Sequence, residues 1–474
     1  MVHVQASKLT LPNPSLSSPH ITSILFESNS LSLALMHSDS SFSLYPSFSP
    51  ISSSLPSPQM QIPSPSSSST FLLLQSSNPD STSRVLFVVS GPHRAGSEVL
   101  LRFYILQKSK LFARAQVVCT QKDLRFEQKL GVLVNVKHGV SIKLAGSINY
   151  FAMHSVSSSK IWVFAVKMEA DDEGDDSVIV KLMRCAVIEC EKPVWSVSIS
   201  FGFLLLGEEN GVRVFSLRRL VKGRVKKVKN SKIEGRGLPL PNGVIANDSG
   251  KHAVRVRGGK QYGVEGISEV ICNVDVEGKV EKHLSGISLG PGYGAMQVKP
   301  THVRFRQDDK DGGACFVVMK RINVETKSMR KVLTSVKAIS IQALSQRMFL
   351  ILDSAGDLHL LCLSSSGIGS DIVGHIRQLP HIIQVQNLAV LPDSSKKSQT
   401  VWISDGYQSV HMLATMDTDY ALNAPDGSDG DEKLLPLQVI EVLFSSEKIQ
   451  DVISLASNAI LILGQGSLYA YAIS

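Results

Sequence analysis

Short apolar runs joined by tight turns recur along the whole chain. One such unit joins residues 203–207 to 210–215, and another joins residues 348–352 to 355–360. The turn positions hold Gly, Asn, Asp or Ser, which tolerate the positive φ angles that two- to four-residue hairpin turns need. The pattern therefore predicts β-hairpins.

Two further copies show that the unit is a repeat. Residues 401–403 precede Asp405-Gly406, and residues 459–463 precede Gly466 and a final apolar run. Apolar residues at helical spacing are nowhere sustained over three turns. The sequence therefore predicts a modular all-β fold and disfavours a mixed α/β enzyme.

The repeats divide the chain into roughly seven or eight units. A row of short sheets leaves exposed edges unless the row closes on itself. Residues 2–6 can form an extended strand, and residues 468–472 end the last unit. We expect these two segments to pair and to close a ring. A two-sheet sandwich or a pair of smaller β-domains is the alternative.

The Gly374-His375 pair, with Trp402 downstream, resembles a degenerate form of the WD-repeat group of β-propellers. Trp402 is followed by Ile403, and the other two tryptophans also lack a following Asp. The resemblance implies an all-β fold: a single β-propeller of about seven four-stranded blades. On this reading residues 1–474 form one domain, closed by its N- and C-terminal strands.

Four segments interrupt the repeats and are predicted to be flexible insertions: residues 46–70, 169–177, 218–240 and 417–434. The first is an uncharged Ser/Pro stretch, which we expect to be a mobile loop. Within it, Ser49, Ser57 and Ser64 each precede a proline and are candidate phosphorylation sites. Residues 169–177 and 417–434 are acidic and predict solvated turns.

The third insertion begins with a dense basic run. Its cations are Arg218, Arg219, Lys222, Arg224, Lys226, Lys227, Lys229 and Lys232. The run is expected to be an exposed loop, because burying unpaired charges is costly. It fits a nuclear import signal, a contact to phosphate backbone, or a merely solvated surface. Base stacking is not favoured, since the run contains no aromatic residue.

Composition narrows the class of protein. The chain has 474 residues, 43% of them hydrophobic, and a net charge of +8, which permits an acidic partner without requiring one. No apolar stretch approaches the ~20 residues that cross a bilayer, so no transmembrane segment is expected. Buried, reduced thiols in an intracellular protein are expected for Cys119, Cys185, Cys190, Cys272, Cys315 and Cys362, which lack metal-ligand spacing.

Catalytic signatures are weak. Residues 286–290 spell GxSxG, but Pro291 follows, so the helix of a nucleophile elbow cannot form. The acidic residues 171–176 lack the spacing of a calcium loop. His359 and His411 occupy alternating strand positions that are typical of rim or core residues. We therefore predict no catalytic residue, metal or cofactor.

These observations favour a non-catalytic propeller scaffold that binds other protein subunits through its rims, within a multiprotein complex in the nucleus. One alternative is a cytoplasmic subunit of a vesicle coat or tethering complex, with the basic run facing anionic lipid. The third is a hydrolase whose residues meet in the central channel. Nucleic acid is a less favoured partner than protein.

Overall fold

The computed structural model describes a unit formed by Met1–Gly223 and Pro300–Ser474. Residues Arg224–Lys299 lie outside the described part. The described residues are 4–10, 19–49, 54–76, 82–119, 121, 124–136, 141–170, 178–222, 303–307, 314–319, 335–365, 372–380, 383–391, 399–415 and 437–473.

Seven β-sheets follow one another as blades. The chain begins with β1 (Val4–Leu9), which belongs to the last blade. Blade 1 contains β2 (Ile21–Glu27), β3 (Ser32–His37), β4 (Phe42–Tyr45) and β5 (Met60–Ile62). Blade 2 contains β6 (Ser68–Leu74), β7 (Arg84–His93) and β8 (Glu98–Leu106), extended by β9 (Phe112–Arg114), β11 (Leu124–Glu127) and β12 (Gly131–Asn135). A 3-10 turn, Arg94–Gly96, joins β7 to β8.

Blade 3 contains β13 (Ile142–Gly146), β14 (Tyr150–Ser155), β15 (Lys160–Ala170) and β16 (Val178–Glu189). Two short strands, β10 (Gln116–Cys119) and β20 (Val303–Arg306), run parallel to β16 and cover its outer edge. Blade 4 contains β17 (Ser196–Ser200), β18 (Phe203–Glu208), β19 (Gly211–Ser216) and β21 (Cys315–Val318), and the helix α1 (Leu217–Lys222) follows β19.

Blade 5 contains β22 (Ala338–Ala343), β23 (Met348–Asp353), β24 (Leu358–Ser365) and β25 (Ile372–Gln378). Blade 6 contains β26 (Asn387–Val390), β27 (Thr400–Ser404), β28 (Ser409–Thr415) and β29 (Leu437–Phe444). Blade 7 contains β30 (Asp451–Ala456), β31 (Ala459–Leu463) and β32 (Leu468–Ile473), and β1 is its fourth strand.

The blades form a ring because each first strand contacts the first strand of the next blade. The contacts run from β2 through β6, β13, β17, β22, β26 and β30, and β30 contacts β2 again. In blade 7, β1 pairs antiparallel with β32, from Val4 opposite Ile473 to Leu9 opposite Leu468. The predicted seven-bladed propeller, closed by its two terminal strands, is thus confirmed.

The predicted hairpins form at the turns that the residue types indicate. Asn210 has a φ of 59°, Gly356 of 86° and Gly406 of 73°, and each lies in the turn between the second and third strands of its blade. Left-handed backbone at these positions costs little for Gly and Asn. The turn residues therefore set the register of these hairpins.

The hydrophobic core is divided into seven clusters, one between each pair of neighbouring blades. Phe42 of blade 1 meets Phe87 of blade 2 edge to face, with ring centroids 5.8 Å apart. Leu9 and Leu468 lie in the cluster between blades 7 and 1. Every residue of the second strand of blade 5 is buried. Both faces of a blade are thus covered by its neighbours.

Residues 46–70 do not form the predicted mobile loop over their described part. Phe48 and Leu55 are buried, Met60–Ile62 pair with β4, and Ser68–Leu74 begin blade 2. The Ser/Pro-rich composition of this stretch indicates too little apolar surface for the stretch to pack against the core. The few apolar residues present are nevertheless placed in the core, where they complete two blades.

Arg102 fixes the link between these two strands. Its guanidinium donates to the carbonyl oxygens of Pro63 (2.9 Å) and Pro65 (3.3 Å) and to the hydroxyl of Ser66 (2.6 Å). Gly91 leaves room for this link, since a Cβ there would collide with the Pro65 carbonyl oxygen. A buried cation of the third strand of blade 2 thus satisfies a segment that has few backbone bonds of its own.

The cysteines only partly match the expectation of buried thiols. Cys185 is buried, and the other described cysteines, Cys119, Cys190, Cys315 and Cys362, are partly exposed and free. Burial nevertheless raises the pKa of Cys119 to about 11 and that of Cys190 to about 12. Those two thiols are therefore protonated at neutral pH. Cys272 lies outside the described residues.

Replacing Arg102 by methionine should lower the free energy of unfolding by about 3 kcal/mol, because buried oxygens lose a charged hydrogen-bond donor. The matched control is Arg125→Met, since Arg125 is 54% exposed and forms only surface ion pairs. We expect that control to change stability by less than about 1 kcal/mol. Urea unfolding measures both. Equal stabilities for Arg102→Met and the wild type would contradict the role given to Arg102.

Candidate interaction site

The antiparallel order of a blade sorts its connections between two faces of the ring. Turns between second and third strands share one face with the links from one blade to the next, and we call this the upper face. Turns between first and second strands and between third and fourth strands lie on the lower face. This division places each predicted functional segment on one face or the other.

A groove of about 1010 Å³ lies on the upper face between blades 1 and 7. Blade 1 contributes the turn between β3 and β4, and blade 7 contributes the turn between β31 and β32. Its polar lining includes His37, Asp39, Ser41, Ser43, Gln61 and Ser467. Pro19, Pro58 and Pro63 add rigid apolar surface. The groove therefore offers hydroxyl and amide groups with little formal charge.

His37 and Ser43 form a polar pair across the β3–β4 turn. Nε2 of His37 lies 2.8 Å from the hydroxyl oxygen of Ser43. Burial lowers the pKa of His37, which favours the neutral imidazole. The nearby carboxylate of Asp39 instead accepts bonds from the backbone N–H (2.9 Å) and hydroxyl (2.7 Å) of Ser41. The pair thus lacks the orienting carboxylate of a Ser-His-Asp triad.

Asp39 is the ionised group of this wall. Hydrogen bonds from Ser41 lower the pKa of its exposed carboxyl group. At neutral pH the wall from blade 1 therefore combines one negative charge with a neutral histidine. Such a surface favours hydrogen bonding over the binding of a strongly charged ligand.

The opposite wall is held by Glu447, which precedes the first strand of blade 7. Its carboxylate accepts bonds from the backbone N–H of Gly466 (3.0 Å) and from the hydroxyl of Tyr469 (2.9 Å). Lys8 of the N-terminal strand lies 3.9 Å from the same carboxylate. The strand that closes the ring thus contributes an ion-pair partner to the residue that holds this wall.

Two of the three predicted phosphorylation sites meet at this groove. Ser57 and Ser64 line it and are exposed. Ser49 is also exposed but does not line it. In the sequence each of these serines is marked only by the proline that follows it, and no pattern there places two of them in one cavity. Their modification stays a prediction.

The basic run begins as a helix and not as the predicted loop. Arg218, Arg219 and Lys222 belong to α1, and Leu217 and Leu220 of that helix are buried between blades 3 and 4. The sequence does not predict this helix, because its two leucines at i and i+3 are too few to show helical spacing over three turns. The remaining cations, Arg224, Lys226, Lys227, Lys229 and Lys232, lie outside the described residues.

Three insertions attach to the lower face. The predicted insertion 169–177 begins within the end of β15 and continues to β16, 218–240 follows β19 and precedes β21, and 417–434 lies between β28 and β29. Each is a connection from the third strand of a blade to its fourth. Most of each insertion lies outside the described residues, as do residues 286–290. The described strand ends to which these insertions connect lie on the face opposite the groove.

The central channel has a volume of about 510 Å³ and is lined by the first strands of several blades. Asp451 is the only ionisable side chain among its lining residues. The backbone N–H of Ile24 donates to its carboxylate (3.3 Å), yet burial raises the pKa of Asp451 to about 6. A second titratable group to act with Asp451 is not present in this lining.

One of the histidines singled out in the sequence lies in the core. His359 is buried, and its Nε2 lies 2.9 Å from the carboxylate of Asp353 across a hairpin turn, as expected for a core residue. Within the described ranges, His, Cys, Asp and Glu side chains form no group suited to a metal ion. None of the helices in those ranges is long and apolar enough to span a membrane.

Comparison with known proteins shows resemblance of fold only. No protein-family model and no curated protein matches the sequence. The β-propeller domain of Cps50 (Swd1) from Myceliophteria thermophila is 8% identical, with 99% of this chain and 100% of that chain covered and a TM-score of 0.44. The WD40 repeats of RRP9 are 8% identical, with both chains fully covered and a TM-score of 0.42. The C-terminal WD40 domain of Sif2 is 10% identical, covers 98% of this chain and 84% of its own, and has a TM-score of 0.38.

The polar pair of the groove predicts a specific pH dependence. Because folding lowers the pKa of His37 below 6.5, the folded state takes up fewer protons than the unfolded state as the pH falls below that value. The stability that neutral His37 contributes is fully present above pH 6.5. It is lost as the pH falls from 6.5 towards the pKa that His37 has in the folded state. The variant His37→Gln should therefore lose less stability than the wild type between about pH 7 and pH 5.

His154→Gln is the positive control for this measurement. His154 is 2% exposed, and burial lowers its pKa to about 4, so its neutral form contributes about 3 kcal/mol above pH 6.5. Urea unfolding at several pH values should show a flatter curve for each variant. Parallel curves for His37→Gln and the wild type, with a flatter curve for His154→Gln, would contradict the account of His37.

Proposed function

We propose that this protein is a non-catalytic propeller scaffold that holds other protein subunits in a multiprotein complex of the nucleus. The groove between blades 1 and 7 carries the proposal. It is large enough for a segment of a partner chain, and its walls are fixed by Arg102, Glu447 and the closing strand β1. A rigid groove of this kind binds without a large entropic cost to itself.

The chemistry of the groove supports binding in preference to catalysis. Its hydroxyl and amide groups suit the backbone and uncharged side chains of an extended peptide. The His37–Ser43 pair has no orienting carboxylate, and the channel lining holds a single acid. An acid and a base with separated pKa values, which hydrolysis needs, are therefore not assembled at either place within the described residues.

The nuclear location rests on the basic run that starts in α1. Arg218 is exposed on that helix, and the run attaches to the lower face, away from the groove. We propose that the run is an import signal and that residues 169–177, 218–240 and 417–434 vary the lower rim of one propeller domain. Import and partner binding then use opposite faces and do not compete.

Filling the groove should displace the partner. We expect Ser57→Trp to reduce the recovery of co-purifying subunits at least tenfold, because an indole at this position occupies the groove. Ser49→Trp is the matched control, since Ser49 is exposed outside the groove. Affinity purification of the tagged full chain, with mass spectrometry of bound proteins, measures the effect. Equal recovery with both variants would overturn the groove as the binding site.

The location is tested separately with a fluorescent fusion. Replacing Arg224, Lys226, Lys227 and Lys229 by Gln should reduce nuclear accumulation while partner recovery from whole-cell extract is retained. A fusion that remains nuclear would overturn the import signal. A wild-type fusion confined to cytoplasmic membranes would instead favour the vesicle-coat alternative.

A further inference from the structure

Two lysines and a tryptophan meet on the upper face, away from the groove. Lys143 lies at the start of β13, Trp195 directly precedes β17, and Lys337 directly precedes β22. These strands are the first strands of blades 3, 4 and 5, which are consecutive around the ring. We call Lys143, Trp195 and Lys337 the Trp195 surface.

The contacts within this surface are close. Nζ of Lys337 lies 3.9 Å from the centroid of the Trp195 ring, the shortest cation–π distance among the described residues. Nζ of Lys143 donates to the backbone carbonyl of Trp195 at 3.0 Å. The backbone N–H of Trp195 donates to the carbonyl of Gly207 at 2.8 Å, which anchors the Trp195 backbone to blade 4. Two ammonium groups are therefore positioned by one residue.

Neither ammonium group is neutralised by an ion pair within the described part of the chain. Glu209, whose backbone forms an antiparallel bridge with that of Lys337, accepts a hydrogen bond from the hydroxyl of Ser335. Both ammonium groups contact Trp195, and like charges near one residue favour the binding of an anion beside them. Trp195 is also 37% exposed, so an apolar group can contact its ring.

We infer that the Trp195 surface binds an acidic segment of a partner protein. Carboxylates of the segment pair with Lys143 and Lys337, and an apolar side chain of the segment packs on the exposed part of Trp195. A nucleic acid fits less well: the surface has only two free cations, and Lys337 occupies one side of the single ring on which a base would stack. This inference uses none of the groove residues, so it stands or falls independently of the proposed groove.

The probe is a fluorescein-labelled peptide of about ten residues in which glutamate and leucine alternate. Fluorescence anisotropy at low salt should show binding to the full chain, and the double variant Lys143→Gln/Lys337→Gln should weaken it at least tenfold. The matched control is Lys448→Gln, because Lys448 also lies over an aromatic ring, that of Tyr407, at 5.6 Å. The control should bind like the wild type.

Tryptophan fluorescence gives an independent readout of the site. Trp162 is 6% exposed and Trp402 is fully buried, so quenching by acrylamide reports mainly on Trp195. The bound peptide should protect Trp195 from the quencher. The variant Lys143→Arg/Lys337→Arg should retain binding, since it retains both charges, and it keeps the test valid if the Gln variant is unstable.

Several results would overturn the inference. The first is that the peptide does not bind the wild type, and the second is that Lys448→Gln weakens peptide binding as much as the double Gln variant does. The third is that the Arg variant loses peptide binding although its unfolding curve is unchanged. The fourth is that the bound peptide does not protect Trp195 from acrylamide. Tighter binding of a single-stranded oligonucleotide of equal charge, lost in the same Gln variant, would also overturn it and assign the surface to nucleic acid.

Discussion

The structure depends on the burial of apolar side chains between neighbouring blades. Each of the seven hydrophobic clusters is shared by two consecutive blades, so a single blade leaves apolar surface on both faces exposed. A row of such sheets has two uncovered ends, and only a ring removes both. Pairing of β1 with β32 joins the two ends through backbone hydrogen bonds and buries Leu9 at the seam. Closure is thus a condition for the stability of every blade.

The same seam shapes the candidate site. The groove lies where the first and last blades meet, and Lys8 of the closing strand approaches the carboxylate that holds the blade 7 wall. At the channel, the backbone of Ile24 in blade 1 donates to Asp451 in blade 7. The Trp195 surface lies on three other blades, and its geometry comes from neighbouring inner strands. In the proposed scaffold, these two separate regions of one face serve distinct partners.

The sequence predicts those features that local chemistry determines. Turn residues such as Asn210, Gly356 and Gly406 identify hairpins because their backbone freedom is an intrinsic property. Strand β5 could not be predicted this way, because the uncharged Ser/Pro stretch around it packs through a few apolar residues, such as Phe48 and Leu55, and through hydrogen bonds from the distant Arg102. In the same way, α1 is held by the core between blades 3 and 4 and not by its own helical propensity.

The polar pair of the groove has a recognisable spacing in the sequence. The groove pair joins residues six positions apart across a hairpin, His37 and Ser43, and the buried pair Asp353 and His359 has the same spacing in blade 5. A search for polar residues at this spacing around a predicted turn would have found both. The approach of Lys143 and Lys337 to Trp195 depends on blade order and leaves no comparable local pattern.

The most direct test of ring closure is the free energy of unfolding of the Leu9→Ala variant. Leu9 is 2% exposed in the cluster between blades 7 and 1, so the cavity should cost about 3 kcal/mol. Val4→Thr, at the 42% exposed start of the same strand, should cost less than about 1 kcal/mol. If Leu9→Ala unfolds with the same free energy as the wild type, the N-terminal strand does not close the ring.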